Sequence, residues 1–364
     1  MKMIAHSFAR IIPPAHLFAM LLGVGLVAGC ATTKNKAPQT YSVYPQPPDE
    51  PRVQFLTSFS NETELGGQGD FAKFVVGKDQ AYRPLWKPYG ITATKGTIFV
   101  CDTQPGNVTA VDLAKRRFRY LRPTGLAAIK MPIGVAVDRA GNRYVTDTVR
   151  GQILIFNPRG ELLDQIGAKD EMKPCGIAIE GDRLYVTDLQ NHAVRVYDLK
   201  SRRLLLTSQT DGAVGDAQLF SPTNIAVDRE GRMYVSDTGG FTVKVYDANG
   251  KYLRTIGERG LEAGRFALPK GVAVDREGRT YVVDAATGLA QIFDSDGKLL
   301  MFFGEPKAGG AGAMYLPAGI AVDYENISYF TKFIMAGRKL EYLIFVTNQA
   351  GTQKVNVYGF LSKK

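Results

Sequence analysis

The chain is poor in the side chains from which metal and redox sites are usually built. Only three of its 364 residues are histidine, and two of these, His6 and His16, fall within the first 29. A zinc site needs several convergent imidazoles, and His192 alone would remain downstream, which argues strongly against one. Cysteine is equally scarce. Of Cys30, Cys101 and Cys175, none has CxxC spacing or a neighbouring histidine, so no zinc or redox motif is present. Long apolar runs are missing too: the longest, near Leu17 to Val27, is shorter than the roughly 20 residues that span a bilayer, and no second one follows. The glycine-rich run Gly309-Gly310-Ala311-Gly312 lacks the Gly-Lys-Ser/Thr ending of a phosphate-binding loop and reads as a connector.

What is present begins at the N-terminus. Lys2 and Arg10 precede the apolar run, and the small residues Ala28 and Gly29 lead into Cys30. This order is that of an export signal rather than a membrane span. The segment Leu26-Val27-Ala28-Gly29-Cys30 resembles bacterial lipoprotein signals, in which the chain is cut before the cysteine and lipid is attached to its sulfur. That resemblance implies a signal peptide over 1–29 and lipidation at Cys30, with the membrane as a partner. Ala31, where many inner-membrane lipoproteins carry aspartate, favours the outer membrane of a bacterial cell envelope by the same analogy. Loss of residues 1–29 removes two basic residues and no acid, lowering the formal charge from +10 to +8. Such a surface suits anionic lipid or an acidic protein. Export makes nucleic acid an unsuitable partner. Residues 30–51, with Pro38, Pro45, Pro47, Pro48 and Pro51, have too few apolar residues to pack and read as an extended tether reaching roughly 60 Å.

Repetition organises residues 52–364. Six segments share a Pro-x-Gly/Asn start at Pro88, Pro132, Pro174, Pro222, Pro269 and Pro317. Alternating strands such as Val135-Ala-Val-Asp138 and Ile225-Ala-Val-Asp228 follow, then tight Asp-Arg-x-Gly turns, then Tyr144-Val-Thr-Asp147 or Tyr234-Val-Ser-Asp237. Four antiparallel strands per unit and six units predict an all-β, six-bladed β-propeller. The last unit lacks a fourth strand, and Arg52 to Phe59 has the character of one. The N-terminal strand is therefore predicted to close the last blade, which removes two sheet edges. At the Pro-x-Gly-Val/Ile-Ala-Val-Asp and Tyr-Val-Thr/Ser-Asp-Thr elements the chain resembles NHL-repeat proteins. The resemblance implies the propeller and leaves the activity open, since such scaffolds carry binding platforms, lyases, lactonases and RNA readers.

Candidate sites lie where the repeat breaks. Asp102, Asp147, Asp188, Asp237 and Asp284 recur at one position, with Asn348 in the sixth unit, and recurrence in every blade points to turn capping rather than to ligand binding. Loops after the second strands carry Asn107, Arg150, His192 and Phe241, all different, on the face where channel ligands would enter. Tyr89, Asn224 and Lys270 lie at the channel mouth. No carboxylate follows a repeat proline, so no cofactor and no metal site is assigned; a divalent cation near Asn224 would favour an enzyme. Between Asp323 and Asn348 the sixth unit is much longer than the others, and Tyr329, Phe330, Lys332, Phe333, Arg338 and Lys339 have the composition of a partner-docking element on the opposite face. The preferred reading is a lipid-anchored, non-catalytic binding or scaffold module for an envelope protein. The alternative is a lactonase-like envelope hydrolase or lyase at the channel mouth.

Overall fold

A computed structural model describes residues 41–66, 83–208, 215–305 and 309–364. The signal peptide expected over 1–29, the lipidation expected at Cys30, residues 30–40 of the expected tether and the apolar residues Phe71 to Val76, which the sequence also offers as cover for part of the ring, lie outside the described residues. Within the described residues, no helix is long and apolar enough to cross a membrane.

The innermost strand of each blade starts at its repeat proline: Pro88–Thr94, Pro132–Val137, Pro174–Glu180, Pro222–Val227, Pro269–Val274 and Pro317–Asp323. Proline has no N–H to donate, so it fits the first position of a strand. Three further strands follow outward in blades one to five, all antiparallel. Burial falls in the same direction. The second strand Met233–Asp237 is buried throughout because neighbouring blades cover both its faces, whereas the outermost strand Leu299–Phe303 alternates between covered and uncovered positions.

Two devices bring the blades together around the axis. At Gly90 a Cβ would stand 2.3 Å from the Ile133 carbonyl oxygen, and at Gly319 one would stand 2.4 Å from the Tyr89 oxygen, so only glycine lets adjacent inner strands approach this closely. Threonine hydroxyls then latch one blade to the next. Thr148 Oγ1 donates to the Pro174 carbonyl at 2.7 Å and Thr238 Oγ1 to that of Pro269 at 2.6 Å. Thr347 does the same to Tyr89 across the closure of the ring. Thr148, Thr238 and Thr347 are therefore inter-blade fasteners, whereas Thr187 and Thr103 bond Gly176 and the Lys87 carbonyl within their own blades.

Blade six holds both chain ends of the propeller. Strand Val53–Phe59 pairs antiparallel with Val355–Lys363, from Val53 opposite Phe360 to Phe59 opposite Val355. The packed chain also starts earlier than the sequence boundary at 52. Val43–Tyr44 forms a fifth strand on this sheet, Tyr44 is buried against Phe303 with ring centroids 6.3 Å apart, and Glu50 accepts from Arg338 at 2.7 Å. Residues 41–51, expected from the sequence as part of a tether, thus belong to the fold.

Candidate functional site

The recurrent aspartates anchor one face of the ring. Asp147 accepts from the Lys130, Met131 and Arg150 backbone N–H groups, Asp237 from those of Phe220 and Ser221, and Asp284 from those of Ala267, Leu268, Ala286 and Thr287. Each carboxylate is fully buried and ties the incoming inter-blade connection to the loop after the second strand. Asn348 performs this role in blade six, accepting from Tyr315 N–H at 3.1 Å and donating to the Gln353 carbonyl at 2.8 Å. The capping role expected from recurrence is what the geometry shows. It leaves a rigid platform whose loop side chains can differ from blade to blade.

The four loop candidates have unequal fates on that platform. Asn107 does not project from a loop: it begins a strand, is fully buried, and its amide donates to Thr109 Oγ1 at 3.2 Å while accepting from Arg122 Nε and Nη2 at 2.9 Å. Arg150 is a strut, its guanidinium donating to the Leu126 and Ala128 carbonyls at 2.7 and 2.9 Å. His192 and Phe241 stand apart. They occupy the turn position held in blades one, two and five by Gly106, Gly151 and Gly288, at φ of 63°, 66° and 68°, and they keep the same left-handed backbone, at 51° and 57°. A bulky side chain in that region is strained, so these two loops hold a side chain where glycine would relax the backbone.

Around them lies a contiguous patch. His192 Nδ1 is 2.6 Å from the Phe220 carbonyl, the Phe220 ring is half exposed beside Gly240, and the Arg259 guanidinium sits 4.8 Å over the Phe241 ring. Trp86, Leu126, Met131, Val149, Leu261 and Leu316 are also exposed on this face. Phe220 and Arg259 escaped the sequence reading, although a signal existed: Trp86, Met131, Phe220 and Leu316 all lie one or two residues before a repeat proline.

At the channel mouth the structure brings Tyr89, Asn224 and Lys270 together with Cys175, a residue not chosen from sequence. All lie at the first or second place after a repeat proline on four different inner strands. The Asn224 side chain serves the Tyr89 hydroxyl as a hydrogen-bond partner from across the ring, but burial, aided by Cys175, pushes the phenol well up. Burial raises the Cys175 thiol against the opposing pull of Thr148 and Lys173, and burial lowers Lys270 while Cys175 opposes it. Cys101 and Cys175 are both free thiols. Among the described residues no three His, Cys, Asp or Glu side chains gather as a metal site.

The long segment of blade six lies on the opposite face, as expected, but most of it is turned inward. Phe330 is buried, packing on Phe345 and Phe333 with centroids 6.0 and 6.5 Å away. Phe333 carries Lys332 over its ring at 4.8 Å, and Gln54 Nε2 donates to the Phe333 carbonyl at 2.7 Å. Asn326, fully buried, accepts from Gly96 N–H at 2.7 Å and donates to the Thr94 carbonyl at 3.0 Å in blade one. Arg338 pairs with Glu50 and Lys339 with Glu341. Of the six docking candidates Phe330 is thus unavailable to a partner, Phe333 and Arg338 are engaged within the fold, and Tyr329, Lys332 and Lys339 remain outward. The aromatics answer to the propeller's own surface. Tyr329 and Lys332, with Phe59, Leu65 and Leu113, line a cavity of about 210 Å³ between blades six and one.

The fold and its ring of repeats define a six-bladed β-propeller. No family model matches the chain. It is 31% identical over 94 residues to Protein SUPPRESSOR OF QUENCHING 1, chloroplastic, of Arabidopsis thaliana, covering 24% of this chain and 9% of that protein. It is 30% identical over 122 residues to NHL repeat-containing protein 2 of Bos taurus, covering 28% of this chain and 17% of that protein. The chain therefore spans less than a fifth of the length of these curated relatives. Among solved structures, a Bacteroides thetaiotaomicron protein of unknown function superposes with a TM-score of 0.59 at 17% identity, covering 85% of this chain and 76% of that one. A streptogramin B lyase superposes at 0.52 and 14% identity, covering 76% and 84%. At such identities these likenesses concern the fold alone.

Proposed function

We propose that this chain is a non-catalytic binding module, held at the outer membrane of a bacterial cell envelope by lipid on Cys30, which presents the loop face of its propeller to an envelope protein. The observation that carries the reading is the patch His192–Phe220–Phe241–Arg259. Aromatic residues and arginine are the types enriched at protein interfaces, and here they sit on loops fixed by buried aspartates. Strain at His192 and Phe241 costs folding stability that a purely structural turn would recover with glycine. Exposed apolar side chains elsewhere on the face add to this surface.

The test places a photo-crosslinking amino acid at Phe220 or at Tyr329 in the full chain and irradiates intact cells. The reading expects a defined envelope protein captured from position 220 and not from 329. Capture from 329 alone would move docking to blade six, and lipid alone at position 220 would make the face a membrane contact. A parallel Cys30→Ser chain should lose incorporation of labelled palmitate and its membrane association; retention of both would remove the anchor from the proposal.

A further inference from the structure

The seam between blades one and two departs from the repeat at two facing positions. The residue just before the aromatic side chain of the second strand is buried in five blades, as Ile98, Leu184, Met233, Thr280 and Ile344, whereas blade two carries Arg143 there. The residue opposite that aromatic on the third strand is β-branched in five blades, as Ile155, Val196, Val245, Ile292 and Val357. In blade one it is alanine, Ala110 opposite Phe99. A cavity of about 220 Å³ lies where the two departures meet, with Phe99, Val108, Ala110, Arg119, Arg143 and Arg159 in its wall.

The charge of this wall has one sign, for no carboxylate lines it. Arg143 and Arg159 have no ion-pair partner among the described residues, and Arg119 has only Asp112, at 3.6 Å. Glu161, in the adjoining turn, accepts from Asn157 Nδ2 at 2.6 Å. The Arg143 guanidinium lies 5.3 Å over the Phe99 ring and donates to the Pro158 and Asn157 carbonyls at 2.9 and 3.3 Å, while its Nε is buried without a partner. Burial, and then the like charge of Arg119, disfavour its charged form. Leucine, which blade three carries at this position, would avoid both costs.

We infer that this cavity binds a phosphate group carried on a small apolar body, with Arg143, Arg119 and Arg159 as its donors. Two guanidinium groups without an ion-pair partner match the two charges of a phosphate monoester, and the planar fork of arginine suits its oxygens. Phe99 and Val108 supply an apolar wall for the body. The site shares no residue with the loop patch and goes beyond the partner-binding reading.

The experiment measures thermal unfolding of the full chain in inorganic phosphate, phenyl phosphate and benzoate at one ionic strength, for the wild type, Arg143→Leu and Ala110→Val. Phenyl phosphate should raise the wild-type Tm by about 2 °C or more, inorganic phosphate by less and benzoate least. Arg143→Leu should unfold no earlier than the wild type and lose the response. Ala110→Val, which restores the branched side chain of the other blades, should fold and lose it too. A second arm follows flotation of the Cys30→Ser chain, with and without Arg143→Leu, on phosphatidylcholine vesicles with and without phosphatidic acid. Binding that needs both phosphatidic acid and Arg143, with no response to soluble phosphates, assigns the phosphate to a lipid headgroup; a soluble response alone assigns it to a small ester. An equal response in Arg143→Leu, a stronger response to benzoate than to phenyl phosphate, or no Arg143-dependent response to any of these phosphates would overturn the inference. Should Arg143→Leu fail to fold, Ala110→Val decides, loss of phosphate binding supporting the site and retention overturning it. Crosslinking from position 220 in Arg143→Leu is expected to be unchanged, so the two proposals fail independently.

Discussion

The two faces of the propeller carry aromatic residues to opposite ends. On the blade-six face Tyr324, Phe330, Phe333 and Tyr342 are spent on the molecule itself: Arg276 lies 3.9 Å over Tyr324, Tyr342 stacks on Phe360, and Phe330 is in the core. On the loop face Trp86, Phe220 and Phe241 remain accessible, and the backbone under Phe241 is strained to hold it there. The same residue types that form interfaces between proteins thus also form the seam within one. What separates the cases is whether polar groups of neighbouring elements hold the segment down, as Gly96, Gln54 and Glu50 do on the blade-six side.

The sharpest way to break this comparison is Phe330→Ala. Deleting a buried ring at a seam should cost about 3–5 kcal/mol in denaturant unfolding, whereas Phe220→Ala, on an exposed loop, should stay within about 0.5 kcal/mol. Similar costs for both would mean that the loop face is also structural. Asn326→Ala is next: it leaves a buried Gly96 N–H and Thr94 carbonyl unmatched and should cost about 1–3 kcal/mol in the same measurement. A cost near zero would show that water replaces these bonds and that the segment is not held to blade one.

How much of this was legible in the sequence follows from what repeats. The six Pro-x-Gly/Asn starts, the turn aspartates and the missing fourth strand fixed blade number, topology and closure, because each such position has one backbone task done in every blade. Capping by Asp102 to Asp284 was legible for the same reason. Segments that occur once were not. The fate of the blade-six segment depends on Gln54 and Thr94, more than 230 residues away, and its composition carries no record of them. Asn107 misled because its position aligned with loops while its side chain faced inward to Arg122. The fifth strand at Val43–Tyr44 was hidden by the prolines around it, and Cys175 by its distance in sequence from Tyr89 and Lys270.

Alkaline titration sharpens the contrast from the closed side. Burial, aided by Glu305, raises Tyr44 to about 12, and burial with Asp138 does the same to Tyr144, from an ordinary value of 10.0. The unfolded chain releases these protons near 10 and the folded chain near 12, so the stability each phenol contributes is complete below pH 10 and lost as pH climbs to 12. Each should add a slope of up to about 1.4 kcal/mol per pH unit to the unfolding free energy. Tyr44→Phe should remove its share without altering crosslinking from position 220. An unchanged slope would show that the fifth strand detaches before its phenol ionises.

The smallest effect is the most telling about the loop face, because its sign is unusual. At φ of 57° Phe241 occupies backbone that glycine adopts freely in the matching turns of blades one, two and five. Relief of the left-handed penalty, partly offset by the greater freedom of glycine in the unfolded chain and by loss of the Arg259 contact, should make Phe241→Gly about 0.5–1 kcal/mol more stable than the wild type. If the strain is kept for a partner, the same variant should lose most of the envelope protein crosslinked from position 220. A variant that gains stability and keeps its partner would show the strain to be incidental, and a variant that loses stability would show that Phe241 packs for the fold, as the aromatics of the opposite face do.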